Sequence, residues 1–322
     1  MTQLSVPESR PQTPHHGHRH GDEPHSHTHG AIDPAIATSE RGLWAVKVSL
    51  VGLMITAIAQ ATVFWLSGSV ALLADLIHNV GDALTALPLG VAFIVGRRKP
   101  TERFAYGYGR VEDLAGLAVV GVVLLSAMIT AYESIDRFYH PQPIHHLGAL
   151  AIAAIIGFIG NETVAVFRMR VGREINSAAL VADGQHALAD GLVSLAVLVS
   201  ATGVWLGYVW ADPVIGLVIT ALLLKIVWES GQTIFTRLLD GVDPEVIDSL
   251  RHAAEHVTQV ESVSHIRARW LGHRLYTEID VVVAGECSVK EGQAIANAVR
   301  DQIQTHISYL DNATVRVVCE DP

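Results

Sequence analysis

Six apolar stretches, each close to the roughly 20 residues that a helix needs to cross a bilayer, dominate the sequence between Leu43 and Trp228. They run approximately over 43–66, 70–95, 113–135, 147–167, 178–201 and 204–228. A soluble helical core of this size would need polar faces along its helices, and these stretches have few. The pattern predicts an α-helical membrane domain. Only 17% of the 322 residues are charged, against about a quarter in a typical soluble domain. The net charge of −10, from 22 Lys+Arg and 32 Asp+Glu, argues against a nucleic-acid partner, which calls for a clustered basic surface. The 2 cysteines, Cys287 and Cys319, exclude a disulfide framework and a four-thiolate metal site.

The remaining sequence divides into two further regions. Residues 1–40 hold seven of the 17 His, in the runs His15–His20 and His25–His29, with no apolar run among them. This composition predicts a disordered His-rich tail, and it lacks the charged and apolar regions of a signal peptide. Residues 41–230 form the membrane domain and 231–322 a soluble domain. In the latter, Asp243-Pro244 is a helix start, with Asp as cap and Pro at the first position. Val260–Trp270 and Leu275–Val283 read as strands joined at Gly272. Ser288-Val-Lys-Glu291 is a capping box opening a helix toward His306, and Ala313–Cys319 is a last strand. Helix–strand–strand–helix–strand is an α+β order in which two helices cover one sheet face.

Loop charge predicts orientation. Arg97, Arg98, Lys99, Arg103 and Arg110 follow the second stretch, and Arg168, Arg170 and Arg173 follow the fourth. The opposite loops offer Arg137 alone, so the positive-inside rule places both termini in the cytoplasm.

Charged residues within the stretches are few and form a repeat. Ala74-Asp75-Leu-Ile-His78-Asn-Val-Gly-Asp82-Ala-Leu84 in the second matches Ala182-Asp183-Gly-Gln-His186-Ala-Leu-Ala-Asp190-Gly-Leu192 in the fifth, 108 residues on. Three spans apart, the copies run in opposite directions, the inverted-repeat arrangement of many secondary transporters. His and Asp at i and i+4 share one helix face. Two such faces present two imidazoles and two carboxylates, a set suited to tetrahedral zinc. A carboxylate at mid-membrane is costly enough to argue against a bland role for Asp82 and Asp190. Asp75 and Asp183 lie on roughly the same faces. An access path, a proton relay and orientation of the imidazoles are all open to them.

These residues resemble the cation diffusion facilitator family of metal/proton antiporters, over about residues 41–322. The paired motifs carry the resemblance, with Arg97-Arg-Lys…Tyr106-Gly-Tyr-Gly-Arg-Val-Glu-Asp-Leu-Ala-Gly116 leading into the third span and Ala211-Asp212-Pro213 near the sixth. The resemblance implies a homodimer with a transport site of His78, Asp82, His186 and Asp190 in each protomer. It also implies a ferredoxin-like cytoplasmic domain that binds zinc, with His265, Asp280, Cys319 and Asp321 at the matching positions. Asp280 and Cys319 stand where the family pattern has His, and ordinary strand roles are the alternative there. Phe104 and Tyr108 replace the His of a further metal loop found in some members, so no metal is expected there. Arg110 and Asp240 match a charge interlock near the membrane boundary, with a plain surface charge as the alternative.

The function implied is export of Zn²⁺ from the cytoplasm across the cell (inner) membrane in exchange for protons, with zinc as substrate and as a regulatory ligand of the soluble domain. Fe²⁺, Co²⁺, Cd²⁺ and Ni²⁺ remain alternative substrates. The tail is suited either to weak collection of metal or to no transport role. An intramembrane metal-dependent hydrolase is the rival class. It would need an open coordination position and a general base, and no His-Glu-x-x-His motif occurs in any span. A membrane metal sensor would need an output module, and none follows the soluble domain. The chain is therefore expected not to be an enzyme.

Overall fold

The computed structural model describes residues 34–67, 86–139, 147–208, 210–285 and 287–320. The membrane part consists of α1 (Pro34–Ser67), α2 (Ala86–Gly96), α3 (Arg110–Tyr139), α4 (Leu147–Glu174), α5 (Ala178–Trp205) and α6 (Ala211–Leu238). Five of these, all but α2, are long and apolar enough among the described residues to cross a bilayer. Their outward faces carry Ile55, Ile58, Leu125, Ile159, Val166 and Val218, all exposed, as helices solvated by lipid require. Trp65, Tyr139, Trp205, Tyr208 and Trp210 are exposed near one end of the bundle, where amphipathic rings favour the membrane–water interface. The same end is tied by Arg137 of α3, which donates to Asp212 of α6 at 2.9 Å.

The helices overrun their apolar windows. The sixth begins at Ala211 and ends at Leu238, whereas apolarity predicts 204–228. The shift has a local cause. Gly207 adopts φ +92°, a left-handed conformation that ends α5. At the other end the helix continues through the polar residues Glu229, Gln232, Thr233 and Thr236 to Leu238.

The soluble domain follows as α7 (Pro244–Glu255), β1 (Ser262–Leu271), β2 (Arg274–Ala284), α8 (Val289–His306) and β3 (Leu310–Glu320). Pro occupies the first turn of α7 after Asp243. The Ser288–Glu291 capping box opens α8, and the two hydrogen bonds from Ser288 hold the Glu291 carboxyl below the usual glutamate range. β2 pairs antiparallel with β1 and parallel with β3. Leu275, Thr277, Ile279 and Val281 alternate into the sheet's buried face. There the apolar ones meet Leu250 and Ala254 of α7 and Val299 and Ile303 of α8. Tyr276, Glu278 and Asp280 take the other face. The order is the predicted ferredoxin-like α+β unit.

The β1–β2 turn connects this domain to the bundle. Its tip, Gly272-His273, inserts among the helix ends. Gly272 N–H donates to Asp113 at 3.2 Å, and Arg237 of α6 donates to the Gly272 carbonyl at 3.3 Å while stacking on Trp270 at 4.5 Å. His273 is 6% exposed. Its Nδ1 lies 2.6 Å from Glu112 Oε2, and a carboxylate only accepts, so this nitrogen carries the proton. Nε2 then faces Ser39 of α1 at 3.2 Å, and the Ser177 hydroxyl between α4 and α5 donates to the other Glu112 oxygen. Contact is close because two glycines permit it. A Cβ on Gly109 would stand 2.6 Å from the Leu271 carbonyl oxygen, and one on Gly272 would stand 2.7 Å from Glu112 Oε2.

Gly272 also has φ +64°, so Gly272→Ala combines backbone strain with a clash. The expected cost is about 1–3 kcal/mol. In detergent-solubilised protein it should lower the unfolding temperature and speed proteolysis between Leu239 and Asp243. Wild-type cleavage rates would show that the tip does not hold the domain.

Candidate metal centre

Ser177 caps α5 by accepting from Leu180 N–H at 3.1 Å, and the cap sets where the helix's inner stripe falls. Asp183, His186 and Asp190 follow at i, i+3 and i+7 and share one face. All three are buried, at 0%, 2% and 7% exposure. His186 Nδ1 lies 3.7 Å from Asp190 Oδ1, so an imidazole and a carboxylate stand one helical turn apart inside a membrane span. Nitrogen and oxygen donors of this kind suit Zn²⁺ and other first-row divalent ions. Among the described residues no three His, Cys, Asp or Glu converge on one point. His78, Asp82 and Asp75, the other copy of the motif, lie outside the described residues.

Gln60 of α1 and Asn161 of α4 are buried and extend the polar lining. Gln60 donates to the Ala153 carbonyl at 3.3 Å. Asn161 lies beside Gly191, where a Cβ would stand 3.6 Å from the Asn161 Cβ.

Arg168 is the functional candidate that residue patterning misses. Loop-charge counting assigns Arg168, Arg170 and Arg173 to a loop, but α4 continues through Glu174 and carries all three. Arg168 points inward, is 1% exposed and pairs with Asp183 at 3.0 Å. The signal was helical phase. Asn161 and Arg168 are seven residues apart, as are Asp183 and Asp190, and in antiparallel neighbours such stripes face one another.

Arg110 and Asp240 meet as an ion pair, and Arg110 Nη1 also donates to the Arg237 and Leu238 carbonyls at 3.1 Å each. Both charges are partly solvated, so the ion pair is worth about 1 kcal/mol or less. The larger effect is capping: the guanidinium satisfies carbonyls that the end of α6 leaves without helical partners.

On the soluble domain's polar sheet face, His265 and Asp280 are register partners across β1 and β2. Each meets a guanidinium. Arg267 Nε donates to His265 Nε2 at 2.8 Å, and Arg316 grips Asp280 through two bonds of 2.7 and 3.1 Å. The Cys319 backbone pairs with Val283 on β2. Its side chain and Asp321 lie outside the described residues. Phe104 and Tyr108 pack ring to ring, with centroids 4.9 Å apart.

The sequence profile of the cation efflux transmembrane domain matches residues 46–239, and that of the cation efflux protein cytoplasmic domain matches 242–317. A probable cation efflux system protein of Mycobacterium tuberculosis is 45% identical over 293 residues, covering 91% of this chain and 88% of that protein. The manganese efflux system protein MneP of Bacillus subtilis is 27% identical, covering 87% of this chain and 97% of its own length. The zinc transporter ZitB of Escherichia coli is 25% identical, with coverages of 91% and 92%. Among solved structures, the cadmium form of a MamM CTD variant is 27% identical, covering 24% of this chain and 98% of that chain with a TM-score of 0.24. With both parts of the chain matched by the family's two domains, this multi-pass membrane protein belongs to the cation diffusion facilitator family and is a cation efflux transporter.

Proposed function

We propose that the chain exports Zn²⁺ from the cytoplasm in exchange for protons, through a site built from His186 and Asp190 together with His78 and Asp82. The observation that carries the reading is the His186–Asp190 pair, buried one turn apart within a membrane span and duplicated in sequence 108 residues earlier. The donor set of two imidazoles and two carboxylates favours zinc. The name of the ZitB relative supports the same metal, and that of MneP makes manganese the first competitor to test.

Proton coupling follows from ligand chemistry. Imidazole and carboxylate must be deprotonated to hold a metal, so binding expels protons and protonation expels the metal. A site that faces an acidic exterior empties and returns protonated, which is alternating access around a fixed site. For orientation, Arg97, Arg98, Lys99, Arg103, Arg170 and Arg173 belong to the end that carries the soluble domain, and Arg137 to the other. This asymmetry supports a cytoplasmic soluble domain and cytoplasmic termini in the inner membrane. The soluble domain is the surface through which two protomers would pair.

In proteoliposomes an imposed pH gradient should drive zinc flux, with manganese as the competing ion. Asp190→Ala should reduce that flux at least a hundredfold, because it removes one of the four ligands of the proposed site. Wild-type flux in Asp190→Ala would reject the site, and flux independent of the gradient would reject proton coupling.

Zinc on the soluble domain is a separate proposal that rests on the donors His265 and Asp280 lying opposite one another. A metal there must displace Arg267 and Arg316. Zinc titrated into the full chain should therefore bind more weakly at this face than in the membrane. The His265→Ala, Asp280→Asn double variant should lose only the weaker class of sites. Retention of all bound zinc by that variant would reject the assignment.

A further inference from the structure

Among the described residues Arg168 is the largest fully buried side chain, and it is buried where a charge is least welcome. It stands on α4 opposite Asp183 of α5, with side-chain exposures of 1% and 0%. The helices leave it little room. A Cβ on Gly184 would stand 2.9 Å from the Met169 backbone nitrogen and 3.1 Å from Arg168 Cβ, and a Cβ on Gly172 would stand 2.9 Å from the Val181 nitrogen. The two backbones therefore touch at this level, and the guanidinium is forced against the polar stripe of α5.

The pair is incompletely bonded. Its ionic contact is 3.0 Å, yet among the described residues Arg168 Nε and Nη2 and both Asp183 oxygens find no hydrogen-bond partner of good geometry. A guanidinium offers five donors in a planar fork and is satisfied by bidentate partners. A purely structural pair in a dry interior persists when its remaining donors and lone pairs are bonded. Arg168–Asp183 leaves several unused, the condition of a pair whose anion also has a second partner.

Position names that partner. Asp183 precedes His186 by three residues and Asp190 by seven, so it lies on their face and about 4.5 Å nearer the soluble-domain end than His186. An ion moving from that end to His186 and Asp190 meets the Asp183 carboxylate first. A divalent cation attracts this carboxylate more strongly than a single positive charge does, while repelling the guanidinium beside it.

We propose that Arg168 is a tethered cation on the soluble-domain approach to the transport site. It balances Asp183 when no metal is present and yields the carboxylate to an arriving divalent ion. Arg168 is thus a positioning and specificity residue: it raises the concentration of metal needed to enter and guards the approach against weaker cations. The inference rests on the transport-site reading above.

The two reversed-charge contributions predict opposite effects, which a merely structural pair does not. Zinc flux is measured in proteoliposomes, with zinc supplied from the soluble-domain side. Arg168→Gln removes the competitor and should lower KM by about threefold or more. Asp183→Asn removes the staging carboxylate and leaves an unbalanced guanidinium, so KM should rise by a similar factor. The double variant should return KM toward wild type, and Arg168→Lys, which keeps the charge, should stay within about twofold. A structural pair would instead lower Vmax in both single variants at unchanged KM, with Vmax restored in the double variant, and that result would overturn the proposal. Should Arg168→Gln fail to accumulate in the membrane, Asp183→Asn and the double variant carry the same comparison, and equal KM values in both would reject it. Zinc flux in wild type that Asp190→Ala abolishes, alongside unchanged KM in these variants, leaves the transport site standing without the arginine. Absence of zinc flux in wild type would reject the transport reading and the arginine role together.

Discussion

Removing charge from water is the constraint on which this structure depends. In the hydrocarbon layer every polar group needs a partner from the protein itself, and α5 brings Asp183, His186 and Asp190 into that layer on one face. The helix can exist there only if its neighbours supply complementary groups. Here α4 supplies Arg168 and Asn161, and α1 supplies Gln60. Breaking a buried ion pair by removing one partner costs about 3–5 kcal/mol, comparable with a large part of a domain's stability. Polar spacing along α5 thus dictates which faces of α4 and α1 turn inward.

The same accounting explains the junction with the soluble domain. The first turn of α3 carries two carboxylates, Glu112 and Asp113, that are both buried and need donors. The β1–β2 tip resolves this by supplying Gly272 N–H and His273 Nδ1–H. Arg110 stands two residues earlier and closes the end of α6. A short stretch, Gly109-Arg110-Val111-Glu112-Asp113, therefore performs three tasks: close approach, capping and a hydrogen-bonded socket. Because Ser39, Ser177 and Arg237 join the same socket from α1, the α4–α5 connection and α6, a shift of any of these helix ends is felt at one hairpin tip. That geometry fixes the soluble domain to several helix ends at a single point.

Sequence made local and repeated signals legible. The Ser288–Glu291 capping box and the Asp243-Pro244 start act over a few residues, and both mark helix starts in the structure. His186 and Asp190 stood out because a duplicate of their motif exists and because charge is scarce around them. What escaped was set by tertiary contact. Arg168 follows the apolar run directly, so composition made it a loop residue, and only the close approach at Gly172 and Gly184 gives it a place inside the bundle. The register of the sixth helix escaped for a related reason. Apolar residues run through the α5–α6 connection without interruption, and the break there depends on Gly207 and on where Asp212 finds Arg137 and Ser200.

The two copies of the repeat are not alike throughout. Its two copies agree at Ala, Asp, His, Asp and Leu but differ between the first Asp and the His, where Gly184-Gln185 stands in place of Leu76-Ile77. Glycine at 184 is what allows α4 to approach until Met169 N and Arg168 lie against α5. Leucine, at the matching position of the first copy, carries a Cβ and a branched side chain. The two copies thus share their His and Asp but not the residues between them. In the proposed site both copies hold one ion between them, while Arg168 beside Asp183 adds a positive charge next to the second copy. A transporter with equal approaches would load metal as readily from either face. Under the proposal that Arg168 stands on the soluble-domain approach, its guanidinium sets the loading equilibrium at that face.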